Sequence, residues 1–408
     1  MSPVSGLLER RSGAPAPAAG SLALLVREPS RLLDLGEEEW RETAEQLRWE
    51  GVLPLVLRRL QRAGRETGGS LSRWADLDRR LARYRAVAEV QERELERVLD
   101  LLAPVGVPPV LLKGVDLAYR CYPSPYLRPR ADTDLYFEDL AKAEEAQRRL
   151  LSAGYESQGA GASADPWDLD NHLDALKAPA TGCLVEIHGE LLFAARDRRV
   201  SRTRCLLQGL EPTTLLGRPA RVLAPEANLV YLMAHASGFR TGETFKLLAF
   251  ADAAQLLERF GGRLSWERVC QLARESGFAG AACEGLLGAA EVFGAAVPGE
   301  VLSRLREMGG EKRPPLSPES RVGQEALAQI RHARSPWSAG RIAWQILFPG
   351  AAHLREKDPG HAHLPVPLLY LRRWGRQART LARLARESRG GSKAVHREPG
   401  APAPGARP

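Results

Sequence analysis

The chain has 408 residues, 44% of them hydrophobic and 26% charged, which is enough ordinary globular sequence for two or three packed subregions around a substantial core. No apolar run approaches the roughly 20 residues that cross a bilayer, and the five cysteines, Cys121, Cys183, Cys205, Cys270 and Cys283, form no CxxC pair, which argues against a disulfide framework or zinc site and for reduced thiols in a cytoplasmic protein. The net charge of +8 invites a nucleic-acid reading, but residues 364–408 hold ten Arg or Lys against two acids and account for the whole excess, so the first 363 residues are neutral.

Residues 1–30 begin MSPVSGLLERRSGAPAPAAG, with no apolar stretch after a basic start, and read as a disordered lead rather than a secretion signal. Residues 31–63 and 71–103 carry apolar positions three and four apart with charges between them, the pattern of amphipathic helices, so 31–104 is an N-terminal helical region. Region 105–224 changes character. Val110–Leu112 reads as a short buried strand closed by a turn at Lys113 and Gly114. Asp116–Tyr122 reads as helix, Pro123–Arg130 with three prolines as a loop, and Asp132–Phe137 as a strand. Asp139–Ala153 returns to helix with Gly154 as its stop, residues 159–170 read as a loop, and His172–Leu176 and Cys183–His188 as two further strands.

Residues 225–308 read as about four helices, and residues 309–363 as linker and helices, with the Pro- and Gly-bearing stretch 309–323 as the linker itself. Residues 364–408 combine a basic helix at 368–386 with a disordered PGAPAPGARP end. That helix either docks Leu371, Trp374, Leu381 and Leu384 on the body or touches an anionic surface such as a membrane or nucleic acid. The fold class is α+β, a small mixed sheet flanked by N-terminal and C-terminal helical regions. No internal repeat is evident.

The chemistry concentrates in LLKGVDLAYRCYPSPYLRPRADTDLYF, residues 111–137. Side chains alternate along a strand, so Asp132 and Asp134 share one face and Thr133 and Leu135 the other. Two such carboxylates are a simple way to hold a divalent metal, and buried without a cation or base they would be costly. In CLVEIHGEL the same alternation puts Leu184, Glu186 and His188 on one face, so Glu186 is a third carboxylate able to join the pair from a neighbouring strand. Glu186 has an alternative as the ion-pair partner of Arg128 or Arg130. His188 either orients substrate or is a satisfied structural histidine, and His235, on an alanine-rich helix, reads as packing.

The order LLKG, YPSPYLRPR, ADTDLYF and LVEIH resembles the DNA polymerase β-like nucleotidyltransferase superfamily, and more narrowly a bacterial family of uncharacterised nucleotidyltransferases, over about Trp40 to Phe293. The resemblance implies Asp132, Asp134 and Glu186 as catalytic metal ligands for Mg²⁺ or Mn²⁺ and Gly114 as the phosphate-side turn. Lys113 and Arg128 would be further phosphate contacts. Relatives commonly carry Gly-Gly or Gly-Ser at the turn, whereas Val115 follows Gly114 here. AHASGF and FKLLAFADAAQLL resemble the family's downstream helices, with Lys246 and Asp252 at the matching basic and acidic positions, and Lys246 placed to neutralise a triphosphate.

The implied activity is transfer of a nucleoside monophosphate from an NTP, such as ATP, to a hydroxyl on a small molecule, a protein or an RNA end. A non-catalytic nucleotide-binding partner or regulatory module with the same fold is the alternative. Nucleic-acid binding through the basic C-terminus is a third, weaker reading.

Overall fold

The computed structural model describes residues 19–64, 68–158, 172–192, 202–237 and 245–309, with short stretches between 340 and 378. The chain divides into one compact unit running to Pro314 and a second from Pro315 onward. The expected loop at 159–170, the linker from residue 310 and the tail beyond 378 lie outside the described residues.

The first unit begins in helices. Helix α1 (Ala19–Arg27) buries Leu25 and Val26, so the lead expected to be disordered to residue 30 is helical from Ala19. The single helix expected over 31–63 is instead a 3₁₀ turn, Pro29–Leu33, followed by α2 (Glu37–Trp49) and α3 (Leu53–Ala63). Gly51, at φ +77, makes the break between the two helices, and Pro54, which has no N–H to donate, sits in the first turn of α3. Helix α4 (Leu71–Leu102) does run unbroken, capped by Ser70, whose hydroxyl accepts the Arg73 amide at 3.2 Å.

Seven strands form one mixed sheet: β1 (Val110–Leu111), β2 (Asp132–Tyr136), β3 (Glu156–Ser157), β4 (Leu176–Lys177), β5 (Leu184–His188), β6 (Glu211–Leu215) and β7 (Arg218–Val222). Their order is β3-β4-β5-β2-β1-β7-β6, with β2–β5 and β1–β7 parallel and the other pairs antiparallel. The strand expected at His172–Leu176 is corrected: pairing occupies Leu176–Lys177, next to the turn that Gly182 closes at φ +71, and His172 makes only an isolated bridge to His188. The first strand ends at Leu111 because Leu112 is already the N-cap residue of α5 (Lys113–Arg120), which starts three residues before the helix expected at Asp116. The β6–β7 hairpin was not expected, although Leu216 and Gly217 both have positive φ, as a two-residue hairpin turn requires.

The sheet has two unlike faces. Leu135 and Phe137 from β2 and its end, with Val185 and Ile187 from β5, join one apolar cluster with the C-terminal half of α4 and with α6 (Leu140–Ser152). The opposite face carries Asp132, Asp134, Glu186 and His188. The remaining helices, α7 (Pro225–Ala236), α8 (Leu247–Phe260), α9 (Trp266–Ser276), α10 (Ala279–Phe293) and α11 (Gly299–Gly309), build a second, larger cluster that also takes in α3 and the first half of α4.

In the second unit residues 366–375 are helical, and the rings of Phe348, Tyr370 and Trp374 contact one another. Leu371 is 60% exposed, while Leu369 is buried. No helix among the described residues is long and apolar enough to cross a membrane.

Candidate functional site

Parallel pairing of β2 with β5 sets the site. Asp132 lies opposite Leu184, Asp134 opposite Glu186, and Tyr136 opposite His188, so strand alternation delivers the acidic side chains to one face in register. Asp134, Glu186 and His188 each offer a ligand atom, and these atoms lie within 4.8 Å of one another. Asp132, two residues before Asp134, is outside that closest set. Its carboxyl is pushed up to about 6, first by burial and then by the negative charge of Asp134.

Asp134 is fully buried and already paired. Its Oδ1 accepts from Lys113 Nζ at 2.8 Å and lies 2.8 Å from His188 Nε2. Burial alone would raise the Asp134 pKa, but the Lys113 charge and the His188 hydrogen bond outweigh it and hold the carboxylate ionised. The same pairing raises Lys113 above its ordinary value despite burial. His188 is likewise raised: burial and Lys113 oppose its charge, and the bonds to Asp134 and Glu186 prevail.

Glu186 Oε2 is 3.5 Å from His188 Nε2 and 3.8 Å from His172 Nε2, so histidines, not Arg128 or Arg130, are its partners. Its pKa is lowered, because the His188 bond overcomes the effect of burial.

Lys113 opens α5 with φ +48, a left-handed conformation unusual for a side chain of this size. Gly114 therefore lies in the first helical turn and not in a strand-closing turn. Its lack of a side chain is explained by a close approach: a Cβ there would meet Arg128 Nη1 at 2.6 Å and Arg130 Cβ at 3.2 Å. Arg128 is held in place by Asp252, which accepts from Nη2 at 2.8 Å and from Nε at 3.1 Å and also accepts the Tyr122 hydroxyl at 2.8 Å. Its Nη1 donates to the Pro129 carbonyl. The guanidinium expected to contact phosphate is thus committed to α8. Arg130 is freer: it donates only a long bond of 3.4 Å to Thr133 Oγ1 among the described residues and lies 5.7 Å over the Tyr119 ring.

Lys246 is not brought to the carboxylates. It precedes α8 with its ammonium 4.5 Å over the exposed ring of Trp49. Helix α7 supplies two residues that the local sequence did not single out for the site. Tyr231 is fully buried with no hydrogen-bond partner for its hydroxyl, and the charges of Lys113, Asp134, Asp132 and Glu186 act on it. One turn later His235 is exposed, not packed, with its ring 6.2 Å from that of Tyr231. His172 was read only as the start of a strand. A bridge to His188, made across the sheet, and the contact with Glu186 bring it in.

No curated protein matches the chain significantly. Among solved structures it is similar to an antigenic nucleotidyltransferase-like protein from Paracoccidioides brasiliensis, at 17% identity over 52% of this chain and 96% of that one, with a TM-score of 0.28. The sequence profile described as "Uncharacterised nucleotidyltransferase" matches residues 36–294, more than half of the chain and the span that holds both the carboxylate strands and the Arg128–Asp252 pair. The chain belongs to this family of uncharacterised nucleotidyltransferases.

Proposed function

We propose that the protein transfers a nucleoside monophosphate from an NTP to a hydroxyl acceptor and releases pyrophosphate, with a divalent ion at Asp132, Asp134 and Glu186. The observation that carries this reading is the parallel register that sets Asp134 beside Glu186, two residues from Asp132, on the polar face of the sheet. The donor set fits a divalent ion, because three carboxylates outnumber the two groups that carry positive charge beside them, the Lys113 ammonium and the His188 ring. When bound, the ion would neutralise phosphate charge and make the acceptor hydroxyl easier to deprotonate.

The chain's own groups have separate tasks in this reading. Backbone amides at the start of α5, at Lys113 and Gly114, face phosphate as helix N-termini do. Arg130, with donors to spare, takes the phosphate role expected of Arg128, which instead braces the turn. Asp134 stays ionised through Lys113 and His188. Glu186, at 20% exposure against 2% for Asp134, receives the acceptor's proton as the oxygen attacks the α-phosphorus and the bond to the bridging oxygen breaks. The basic excess over residues 364–408 would serve to hold the protein near an anionic surface or acceptor.

The Lys113–Asp134 ion pair favours a second reading, a nucleotide-binding module without turnover, because an ammonium already occupies an oxygen of the central carboxylate. Labelled NTPs incubated with the purified protein, Mg²⁺ or Mn²⁺ and cell extract separate the two. Transfer predicts pyrophosphate release and a labelled adduct, both reduced on the order of 100-fold in Asp132→Ala and Asp134→Ala. Nucleotide binding with neither product in any acceptor mixture would establish the module.

A further inference from the structure

We propose that Lys113 is a built-in counter-ion that stands in for the divalent ion until a nucleotide arrives, so that the site takes up ion and nucleotide together and the ion alone only weakly. This rests on the reading of Asp132, Asp134 and Glu186 as ligands of that ion and adds the order in which the site fills.

Protein groups already attend the central carboxylate. Asp134 Oδ1 accepts from the Lys113 ammonium at 2.8 Å and lies 2.8 Å from His188 Nε2, which is 3.5 Å from Glu186 Oε2. An oxygen with two such neighbours has no lone pair left for a cation, and an ammonium at contact distance repels a dication. The three carboxylates therefore fit an ion only once one of these groups has left.

Lys113 is the group able to leave. The His188 side chain is 1% exposed at the end of β5, whereas that of Lys113 is 15% exposed on a flexible four-carbon stem. The stem is rooted at the start of α5, beside the amides proposed to face phosphate, so rotation about its own bonds carries the ammonium from Asp134 to a triphosphate. Arg128 cannot take over that charge, because Asp252 holds it by two bonds. Lys113 also has φ +48, which glycine would adopt without strain, and strain of this kind gathers at ligand clamps and switches.

A second observation marks the same place. The Tyr231 hydroxyl is buried without a hydrogen-bond partner, and Lys113 is the charge that acts on it most strongly. A polar atom left so usually signals a missing water or bound group, in keeping with a site whose occupants change. The negative charge of the triphosphate draws the ammonium off Asp134, and the freed oxygen completes the ligand set. By linkage, the ion in turn strengthens the hold on the nucleotide.

Two measurements on the full-length protein test this without an acceptor. In a crystal structure with Mg²⁺ and a non-hydrolysable ATP analogue, Lys113 Nζ should lie on a phosphate oxygen, out of salt-bridge range of Asp134. In solution, Mn²⁺ without nucleotide, followed by EPR, should bind the wild type weakly and Lys113→Met on the order of tenfold more tightly. An ammonium still on Asp134 with ion and analogue both bound, or equal Mn²⁺ affinity in wild type and variant, would overturn the proposal and leave the metal-dependent reading standing. If the analogue binds with no ion at the carboxylates, both fail. The wild-type crystal decides even if the variant does not fold.

Discussion

At the scale of single residues, the site depends on side chains whose partners are far away in sequence. Gly114 is the clearest case. Arg128 is anchored by two bonds to Asp252, so it cannot easily yield to a methyl group at Gly114. Gly114→Ala should cost about 1–3 kcal/mol in urea unfolding, and an unchanged midpoint would show that the guanidinium moves freely. Tyr231→Phe should act oppositely. It removes a buried hydroxyl without a partner, so in metal-free protein the melting temperature should hold or rise, by up to about 1 kcal/mol of stability. Asp76 supplies the pH dependence. Burial would raise its carboxyl, but bonds from Arg80, Trp40 Nε1 and Arg79 outweigh this and lower it from 3.8 to about 2. A depressed carboxylate contributes stability above its unfolded value and loses it as pH falls through the folded one. The deficit of Asp76→Asn, about 2 kcal/mol near neutral pH, should therefore shrink between about pH 4 and pH 2. A deficit that stays constant across that range would refute the assignment. The aspartates and Glu186 were legible in the sequence because strand alternation is local. The partner of Arg128 was not, because Asp252 lies 124 positions on and only the packing of α8 brings it back.

At the scale of elements, helices pack closely where glycines permit it. A Cβ at Gly288 would fall 2.4 Å from the Phe250 ring, and one at Gly285 would fall 1.9 Å from Met233 Sδ, so α10 meets α8 and α7 through backbone. Replacing an exposed mid-helix glycine by alanine ordinarily stabilises by up to about 1 kcal/mol. Gly288→Ala should instead destabilise by about 1–3 kcal/mol in thermal or chemical unfolding. A gain would mean that Phe250 has room to turn. Glu50 makes a comparable bond between elements: its side chain accepts the Leu247 amide at 2.8 Å and its carbonyl accepts the Leu248 amide at 3.1 Å, which caps α8 from the α2–α3 connection. The long helix α4 was legible from its periodicity. The short strand at Val110–Leu111 was legible too, but the break at Gly51 and the two-residue pairings of β3 and β4 were not, since two residues display no period and their partners decide whether they pair.

At the scale of the first unit, α4 connects two apolar clusters. Trp74, Leu77 and Leu81 lie in the helical one, and Leu95, Val98, Leu99 and Leu102 in the one under the sheet. A rigid rod set in both should make them unfold together. Leu81→Ala and Leu95→Ala should each cost about 2–5 kcal/mol and shift one common transition, whether followed by tryptophan fluorescence or by far-ultraviolet dichroism. Separate transitions would show two independent modules.

The two-faced β2 strand has one more consequence, for errors in folding. The residues that serve the chemistry alternate one for one with those that serve the core, so a slip of one residue would put Asp134 into the apolar cluster and Leu135 out of it. A chain paired in the wrong register would be unstable as well as inactive. Copies that persist as folded protein are thereby screened for a correctly assembled site, with no separate check on the chemistry.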